Sequence, residues 1–205
     1  MNKFSPIIFT LLLAICLWPV YANNIFNKHI SGPNDLSSLT ASLPKTQRKL
    51  VIIAHRGSHI NVPENTLVAY ENAIKEGADY VEIDLRTTKD GHLVIMHDES
   101  IIRMTGIKGQ IKDLNFSEIR EMKIKPVMKG DISIYHIPEF KDVLNFCKGR
   151  INIYLDFKDA DVAKTYRVLK KYRMQNNVVV YLNKEEQYGQ WKNVAPQIPL
   201  MASLP

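Results

Sequence analysis

Residues that can perform acid and base chemistry lie close together in the first half of the chain. His55-Arg56-Gly57, Glu82-Ile83-Asp84 and His97-Asp98 occur in that order within about forty-five residues. They supply two imidazoles, a guanidinium and paired carboxylates. A phosphodiester resists cleavage because its negative charge repels nucleophiles and its alkoxide leaves poorly, so cleavage needs cationic groups and proton transfer. The set fits that chemistry.

The carboxylates indicate a metal site. Glu82 and Asp84 are two residues apart in an apolar run, so both project from one face of a strand, and Asp156 and Lys158 do the same later. Carboxylates on such strands are costly unless a cation compensates them. All candidate ligands are oxygens, which favours Mg²⁺ or Ca²⁺ over Zn²⁺. With one divalent ion, Arg56 and Lys158, the three carboxylates leave one positive charge, which one phosphodiester anion would neutralise.

Each of these strings alone has an ordinary structural explanation. A pair of strand carboxylates is more often a salt bridge, a histidine that ends a strand is more often structural, and His55-Arg56-Gly57 could be a turn with Gly57 at positive φ. Their occurrence together in one ordered span favours a functional site.

From residue 50 onward the apolar pattern alternates between strand and helix periods. The first strand, residues 50–54, is expected to be buried on both faces. Repeated strand and helix units predict a mainly parallel α/β sheet with helices outside, either open or closed into a barrel. Further strands are predicted at residues 80–85, 93–97, 151–157, 178–182 and 198–201, and helices at residues 67–74, 140–147, 162–169 and 185–191.

The N-terminal residues predict export. Lys3 precedes an apolar run that ends at Val20-Tyr21-Ala22, so residues 1–22 are interpreted as a cleavable signal peptide. A membrane anchor is disfavoured because the run is shorter than the roughly 20 residues a span needs. Residues 23–49 are interpreted as a linker or poorly ordered lead-in, and residues 50–205 as the domain. Once residues 1–22 are removed, Cys147 has no cysteine to pair with.

Composition limits the partners. With 45% hydrophobic and 23% charged residues among 205, the chain suits one globular domain, and its net charge of +6 mildly favours anionic partners. No basic stretch is interleaved with stacking aromatics, so nucleic acid is not expected, nor is a stable protein partner. Five lysines are interpreted as a solvated face in preference to a patch for lipid headgroups or an anionic polymer; they are Lys108, Lys112, Lys123, Lys125 and Lys129.

The ordered motifs resemble those of the glycerophosphodiester phosphodiesterases. The likeness runs from about residue 50 to the C-terminus and is carried by His55-Arg56-Gly57, Pro63-Glu64-Asn65-Thr66, Gly77-Ala78-Asp79, Glu82-Ile83-Asp84, Thr88-Lys89-Asp90-Gly91, His97-Asp98, Arg103-Met104-Thr105, Gly109-Gln110-Ile111, Ile137-Pro138-Glu139-Phe140 and Leu155-Asp156-Phe157-Lys158. It implies a TIM (β/α)8-type barrel with its site at the C-terminal strand ends. About six strands are counted, so the barrel is expected to be truncated, with two strand and helix units missing.

The resemblance also implies roles for individual residues. His55 and His97 would be the general acid and base, and Arg56 and Lys158 would contact phosphate. The metal ligands would be Glu82, Asp84 and Asp156, with Glu64 nearby as a supporting or metal-proximal group. Many members have Glu where this chain has Asp156, so the metal would sit closer to that strand. The expected reaction is hydrolysis of a small glycerophosphodiester to sn-glycerol 3-phosphate and an alcohol, with one Mg²⁺ or Ca²⁺.

Two alternatives stay open from the sequence. A phosphatidylinositol-type phospholipase C or a phospholipase D-like relative would use a similar barrel and paired histidines on a lipid. A noncatalytic remnant would keep the motifs without turnover. Product analysis separates the first alternative from the expected reaction, and metal-dependent turnover excludes the second.

Overall fold

One curled sheet of six strands positions the motifs, and five of its strands run parallel. The computed structural model describes residues 50–203; the predicted signal peptide and linker lie outside them. The parallel strands, in sheet order, are β1 (Ile53–Ala54), β2 (Tyr80–Thr87), β6 (Asn152–Phe157), β7 (Val178–Leu182) and β8 (Leu200–Ala202). This α/β half-barrel confirms the predicted fold class.

Four helices pack against this sheet. They are α1 (Leu67–Lys75), α4 (Phe140–Cys147), α5 (Val162–Tyr172) and α6 (Glu185–Val194), close to the predicted bounds. The α1 helix begins where the side chain of Thr66 accepts a hydrogen bond from the amide of Ala69. Their buried faces and the inner strands form one main core, in which Trp191 packs edge-on against Phe157 with ring centroids 5.2 Å apart.

The chain leaves this layered arrangement between β2 and α4. The segment contains β3 (Leu93–Ile95), α2 (Ile102–Thr105), a 3₁₀ turn (Ile111–Asp113), α3 (Phe116–Ile119), and the hairpin of β4 (Lys123–Ile124) and β5 (Tyr135–His136). It has its own small core: Val94, Met96, Ile101, Met104, Ile111, Ile119, Ile124 and Ile137. Apart from β3, none of these short elements was predicted from the sequence.

Two sequence predictions need correction. The predicted strand at residues 93–97 is the sixth strand of the sheet, but β3 pairs antiparallel with β2, so it is not part of a parallel strand and helix unit. The predicted burial of residues 50–54 is also wrong, since Leu50 and Val51 are 75% and 51% exposed. The physical reason is that β1 has β2 as its one parallel neighbour among the described residues, which leaves its other edge and side chains open.

No helix within residues 50–203 is long and apolar enough to cross a bilayer.

Candidate active site

The turn after β1 is held in an unusual backbone conformation. Arg56 and Gly57 both have positive φ, 55° and 81°. At Gly57 an added Cβ would lie 2.8 Å from backbone and side-chain atoms of Ala69 in α1, so only glycine fits. The turn aims the backbone N–H of Arg56 at Glu82, whose Oε2 accepts it at 2.7 Å. This turn therefore fixes the predicted phosphate-binding arginine against the acidic strand.

The three predicted metal ligands come together on the neighbouring strands β2 and β6. Because β2 and β6 are parallel with Asp84 opposite Asp156, the alternation predicted from sequence places Glu82 on the same face beside them. One carboxylate oxygen from each of the three residues lies within 4.8 Å of the others. Glu82 and Asp84 are buried, at 5% and 0% exposed, while Asp156 is partly exposed.

Two asparagines hold this acidic cluster in place. Asn65, at φ 56° and almost fully buried, donates from its side-chain amide to Asp84 Oδ2 at 2.7 Å. Its carbonyl oxygen accepts from the hydroxyl of Tyr70 at 3.0 Å, and that hydroxyl belongs to a fully buried side chain. Asn183, just after β7, donates to Asp156. The orientations of both carboxylates are thus set by neighbouring amides.

Cations face the cluster. The Lys158 ammonium hydrogen-bonds Asp156 and lies 3.1 Å from Asp84 Oδ1, while Arg56 Nε lies 3.6 Å from Asp84 Oδ2. Burial would lower the pKa of Lys158, but Asp156 and Asp84 outweigh burial and raise this pKa. Asp84 Oδ1 and Arg56 Nε are nevertheless buried without a well-formed hydrogen bond among the described residues. Their contacts are ion pairs, which Asp84 Oδ1 makes with Lys158 and Arg56 Nε makes with Asp84 Oδ2.

The electrostatics of Glu82 fit a divalent cation. Burial raises the pKa of Glu82 to about 8, and the charge of Asp84 adds to this effect. The hydrogen bond from the backbone N–H of Arg56 acts in the opposite direction but is weaker. A carboxylate so destabilised in its charged form is relieved by a nearby cation. Three clustered carboxylate oxygen donors suit a hard ion such as Mg²⁺ or Ca²⁺.

The two predicted catalytic histidines approach from different parts of the fold. His55 follows β1 and its side chain reaches solvent. Partial desolvation by the surrounding protein, and then the charge of Arg56, lower the pKa of His55. His97 follows β3, where Arg86 donates two hydrogen bonds to its carbonyl oxygen, at 3.0 and 2.7 Å. Its Nδ1 pairs with Asp98 Oδ1 at 2.8 Å. The charge of His97 also contributes to the lowered pKa of His55.

Arg103 links Asp98, the partner of His97, to Glu64 through hydrogen bonds. It donates to Asp98 Oδ2 at 2.6 Å and to Glu64 Oε1 at 2.6 Å, and Glu64 also accepts from Arg56 at 3.1 Å. The hydrogen bond from Arg103 lowers the pKa of Asp98 to about 2, with His97 adding to the effect. Burial would raise the pKa of Glu64, but Arg103 and Arg56 lower it below its usual value. Both carboxylates are therefore charged at neutral pH.

Every residue predicted for the site lies in this one region, whereas several supporting residues were not identified. Glu64 contacts arginines and is not part of the three-oxygen cluster, which agrees with a supporting position. Asn65, Asp98 and Arg103 lie inside motifs that were recognised, yet they received no role. An asparagine favours positive φ, and this could have marked Asn65. Asn183 carries no local signal, because its contact depends on the packing of β7 beside β6.

The sequence is similar to a known enzyme family. The sequence model described as the glycerophosphoryl diester phosphodiesterase family matches residues 55–198. A glycerophosphodiester phosphodiesterase of Caldanaerobacter subterraneus subsp. tengcongensis is 30% identical over 159 residues, covering 74% of this chain and 65% of that protein. The chain thus spans just under two thirds of the length of that relative.

Solved structures agree with the sequence match. The crystal structure of a glycerophosphodiester phosphodiesterase from Agrobacterium tumefaciens aligns with a TM-score of 0.67 and 29% identity, over 74% of this chain and 65% of that one. A phosphodiesterase of Oleispira antarctica, solved with the product sn-glycerol-3-phosphate, has a TM-score of 0.67 at 23% identity, over 76% and 66% of the two chains. The second likeness concerns the fold.

Proposed function

The chain belongs to the glycerophosphoryl diester phosphodiesterase family, and on that premise we propose that it hydrolyses glycerophosphodiesters to sn-glycerol 3-phosphate and an alcohol with one bound divalent cation. The observation that carries the proposal is the convergence of three carboxylate oxygens within 4.8 Å, flanked by Arg56 and Lys158. A site that combines clustered anions with two cations suits a metal and a phosphodiester together.

Glu82, Asp84 and Asp156 would hold the ion. When bound, it supplies positive charge that polarises the phosphoryl group. Arg56 and Lys158 bind the phosphodiester oxygens and stabilise the negative charge that grows on them in the transition state. The fixed turn at Arg56 and the amides on Asp84 and Asp156 keep these groups in place before substrate arrives.

The histidines divide the proton transfers. With its lowered pKa, His55 is neutral near pH 7 and accepts the proton of the attacking hydroxyl, which comes from water or from the substrate. His97 donates a proton to the departing alkoxide. The ionised carboxylate of Asp98 holds the Nδ1–H of His97, so its Nε2 is the nitrogen that exchanges a proton with substrate.

Turnover of glycerophosphocholine tests the assignment. We expect His55→Ala and His97→Ala each to lower kcat by roughly 10²–10⁴, because each removes one general acid or base. His136→Ala is the matched control, since this histidine lies in the β4–β5 hairpin and contacts the carbonyl of Met122. Release of sn-glycerol 3-phosphate is measured directly, so that a diacylglycerol product would instead indicate a phospholipase C. Folded histidine variants with the native rate would refute the roles.

The choice of leaving group separates acid from base. A p-nitrophenyl ester of sn-glycerol 3-phosphate releases a stable phenolate that needs no proton. The loss of kcat caused by His97→Ala should therefore be much smaller on this ester than on glycerophosphocholine. The loss of kcat caused by His55→Ala should be equally large on both substrates. The opposite pattern would reverse the two roles.

A further inference from the structure

The loop that joins β4 to β5, residues 125–134, exposes an unusual amount of apolar surface. Val127 and Met128 are each 51% exposed, Ile134 is 62% exposed, and Ile132 is 96% exposed. Single exposed apolar side chains are ordinary, but four within one short loop make a patch of the kind that marks an interaction surface.

Basic residues accompany this apolar loop. Lys123, Lys125 and Lys129 are all exposed. The one acid within residues 125–134, Asp131, accepts hydrogen bonds from the backbone amide of Ser133 at 2.9 Å and from the hydroxyl of Tyr135 at 2.8 Å. Three exposed lysines against this one acid give the loop and its flank a net positive charge beside bulky apolar side chains.

The surface continues onto the segment after α2. The amide of Lys125 donates to the carbonyl of Met104 at 2.7 Å, and the Lys125 side chain passes over Gly106, where an added Cβ would lie 3.1 Å from Cε. Ile107, 48% exposed, and the exposed Lys108 follow directly. Two neighbouring segments thus repeat the same combination of lysine and apolar side chains.

We propose that this surface docks the protein on anionic lipid bilayers. The apolar side chains would enter the boundary between headgroups and acyl chains, and the lysines would lie among the lipid phosphates. Charge complementarity selects an anionic membrane. A nucleic acid is disfavoured because residues 125–134 contain no aromatic side chain on which a base could stack. The earlier interpretation of these lysines as a merely solvated face is replaced by this proposal.

The surface begins close to the candidate active site. Ile102, 44% exposed, immediately precedes Arg103, which hydrogen-bonds Glu64 and Asp98. Docking would therefore bring the segment that carries Arg103 close to the bilayer, where phosphodiesters derived from lipids arise. The binding itself does not depend on the proposed hydrolysis, and the two can fail separately.

Co-sedimentation of the full chain with vesicles tests the electrostatic part. We expect binding to vesicles of phosphatidylcholine and phosphatidylglycerol in equal parts, and little to phosphatidylcholine alone. Each lysine near such a surface contributes about fivefold in partitioning, so removing three should weaken binding by roughly 100-fold. The test variant is Lys123→Gln/Lys125→Gln/Lys129→Gln, and the control, which removes the same charge from exposed positions elsewhere, is Lys148→Gln/Lys170→Gln/Lys171→Gln.

The apolar part has its own pair of variants. Met128→Ser/Ile132→Ser should lower binding to the mixed vesicles by at least about tenfold. Leu50→Ser/Val51→Ser removes comparably exposed side chains beside β1 and should leave binding unchanged. Circular dichroism verifies that each variant is folded.

Three results would overturn the proposal: equal binding to both vesicle types, equal losses in test and control variants, or no vesicle binding by the native chain. If the native chain instead forms a dimer that Met128→Ser/Ile132→Ser abolishes, the surface is occupied by a second copy and the lipid assignment is wrong.

Discussion

Replacing Asn65 by glycine would test whether the asparagine holds the acidic cluster. The change removes the hydrogen bond to Asp84 and leaves the Tyr70 hydroxyl, on a fully buried side chain, without its acceptor. An unsatisfied buried polar group costs about 1–3 kcal/mol, so the two lost bonds together should lower the free energy of unfolding by about 2–5 kcal/mol. At about 2–4 °C per kcal/mol for a domain of this size, Tm should fall by roughly 4–20 °C.

Glycine is the right substitution because of the backbone. Asn65 has φ 56°, which costs alanine about 1–2 kcal/mol and glycine nothing. Asn65→Ala should therefore be less stable than Asn65→Gly, and the difference isolates backbone strain from hydrogen bonding. Adding Tyr70→Phe to Asn65→Gly removes the stranded hydroxyl and should restore about 1 kcal/mol or more.

Two assays check the prediction. Urea denaturation gives the free energies of unfolding, and calorimetric titration with Mg²⁺ or Ca²⁺ gives the affinity, which should fall by roughly 10–100-fold because Asp84 loses the group that orients it. If Asn65→Gly unfolds within about 0.5 kcal/mol of the native chain and binds metal equally well, then the amide does not position Asp84, and our reasoning about the cluster is wrong.

Two further predictions concern pH. The pKa of Glu82 in the folded protein is raised to about 8. Its protonated form therefore stabilises the metal-free fold below pH 4.5, and this contribution is lost as pH rises towards 8. In EDTA at pH 8.5, the free energy of unfolding of Glu82→Gln should be roughly 2–4 kcal/mol higher than that of the native chain. Identical pH dependence of both proteins in urea denaturation would contradict this. Asp98 has its pKa lowered to about 2, so the stability it supplies is present above pH 4 and lost as pH falls towards 2. Asp98→Asn should cost about 1–2 kcal/mol at pH 6, allowing for partial exposure, and the cost should shrink at pH 3; a cost independent of pH would show that the charge is not involved.

The position of the three proposed metal ligands was predictable because two simple rules place them. Alternation along a strand puts Glu82 and Asp84 on one face of the sheet. The parallel pairing of β2 with β6 then places Asp156 beside Asp84 on that face. The pairing partner of a strand is a tertiary property, which is why the antiparallel direction of β3 and the open edge of β1 were missed.

Arg103 shows a different limit. Its contact with Glu64 spans 39 positions in the chain and depends on how the segment between β2 and α4 packs. No period or spacing encodes that distance. The motif around Arg103 marked it as part of the family resemblance, but the role became visible only with the carboxylates in place.

The division of the protein into two cores has a consequence for how activity would fail. The acidic cluster lies on strands whose apolar residues form the main core, whereas His97 and Arg103 belong to the segment with the small core. Small cores with few buried side chains open locally at lower free energy than whole domains. On mild heating, the protein should therefore lose catalytic activity before it loses its affinity for metal. It should pass through a state that still binds the ion but no longer hydrolyses substrate.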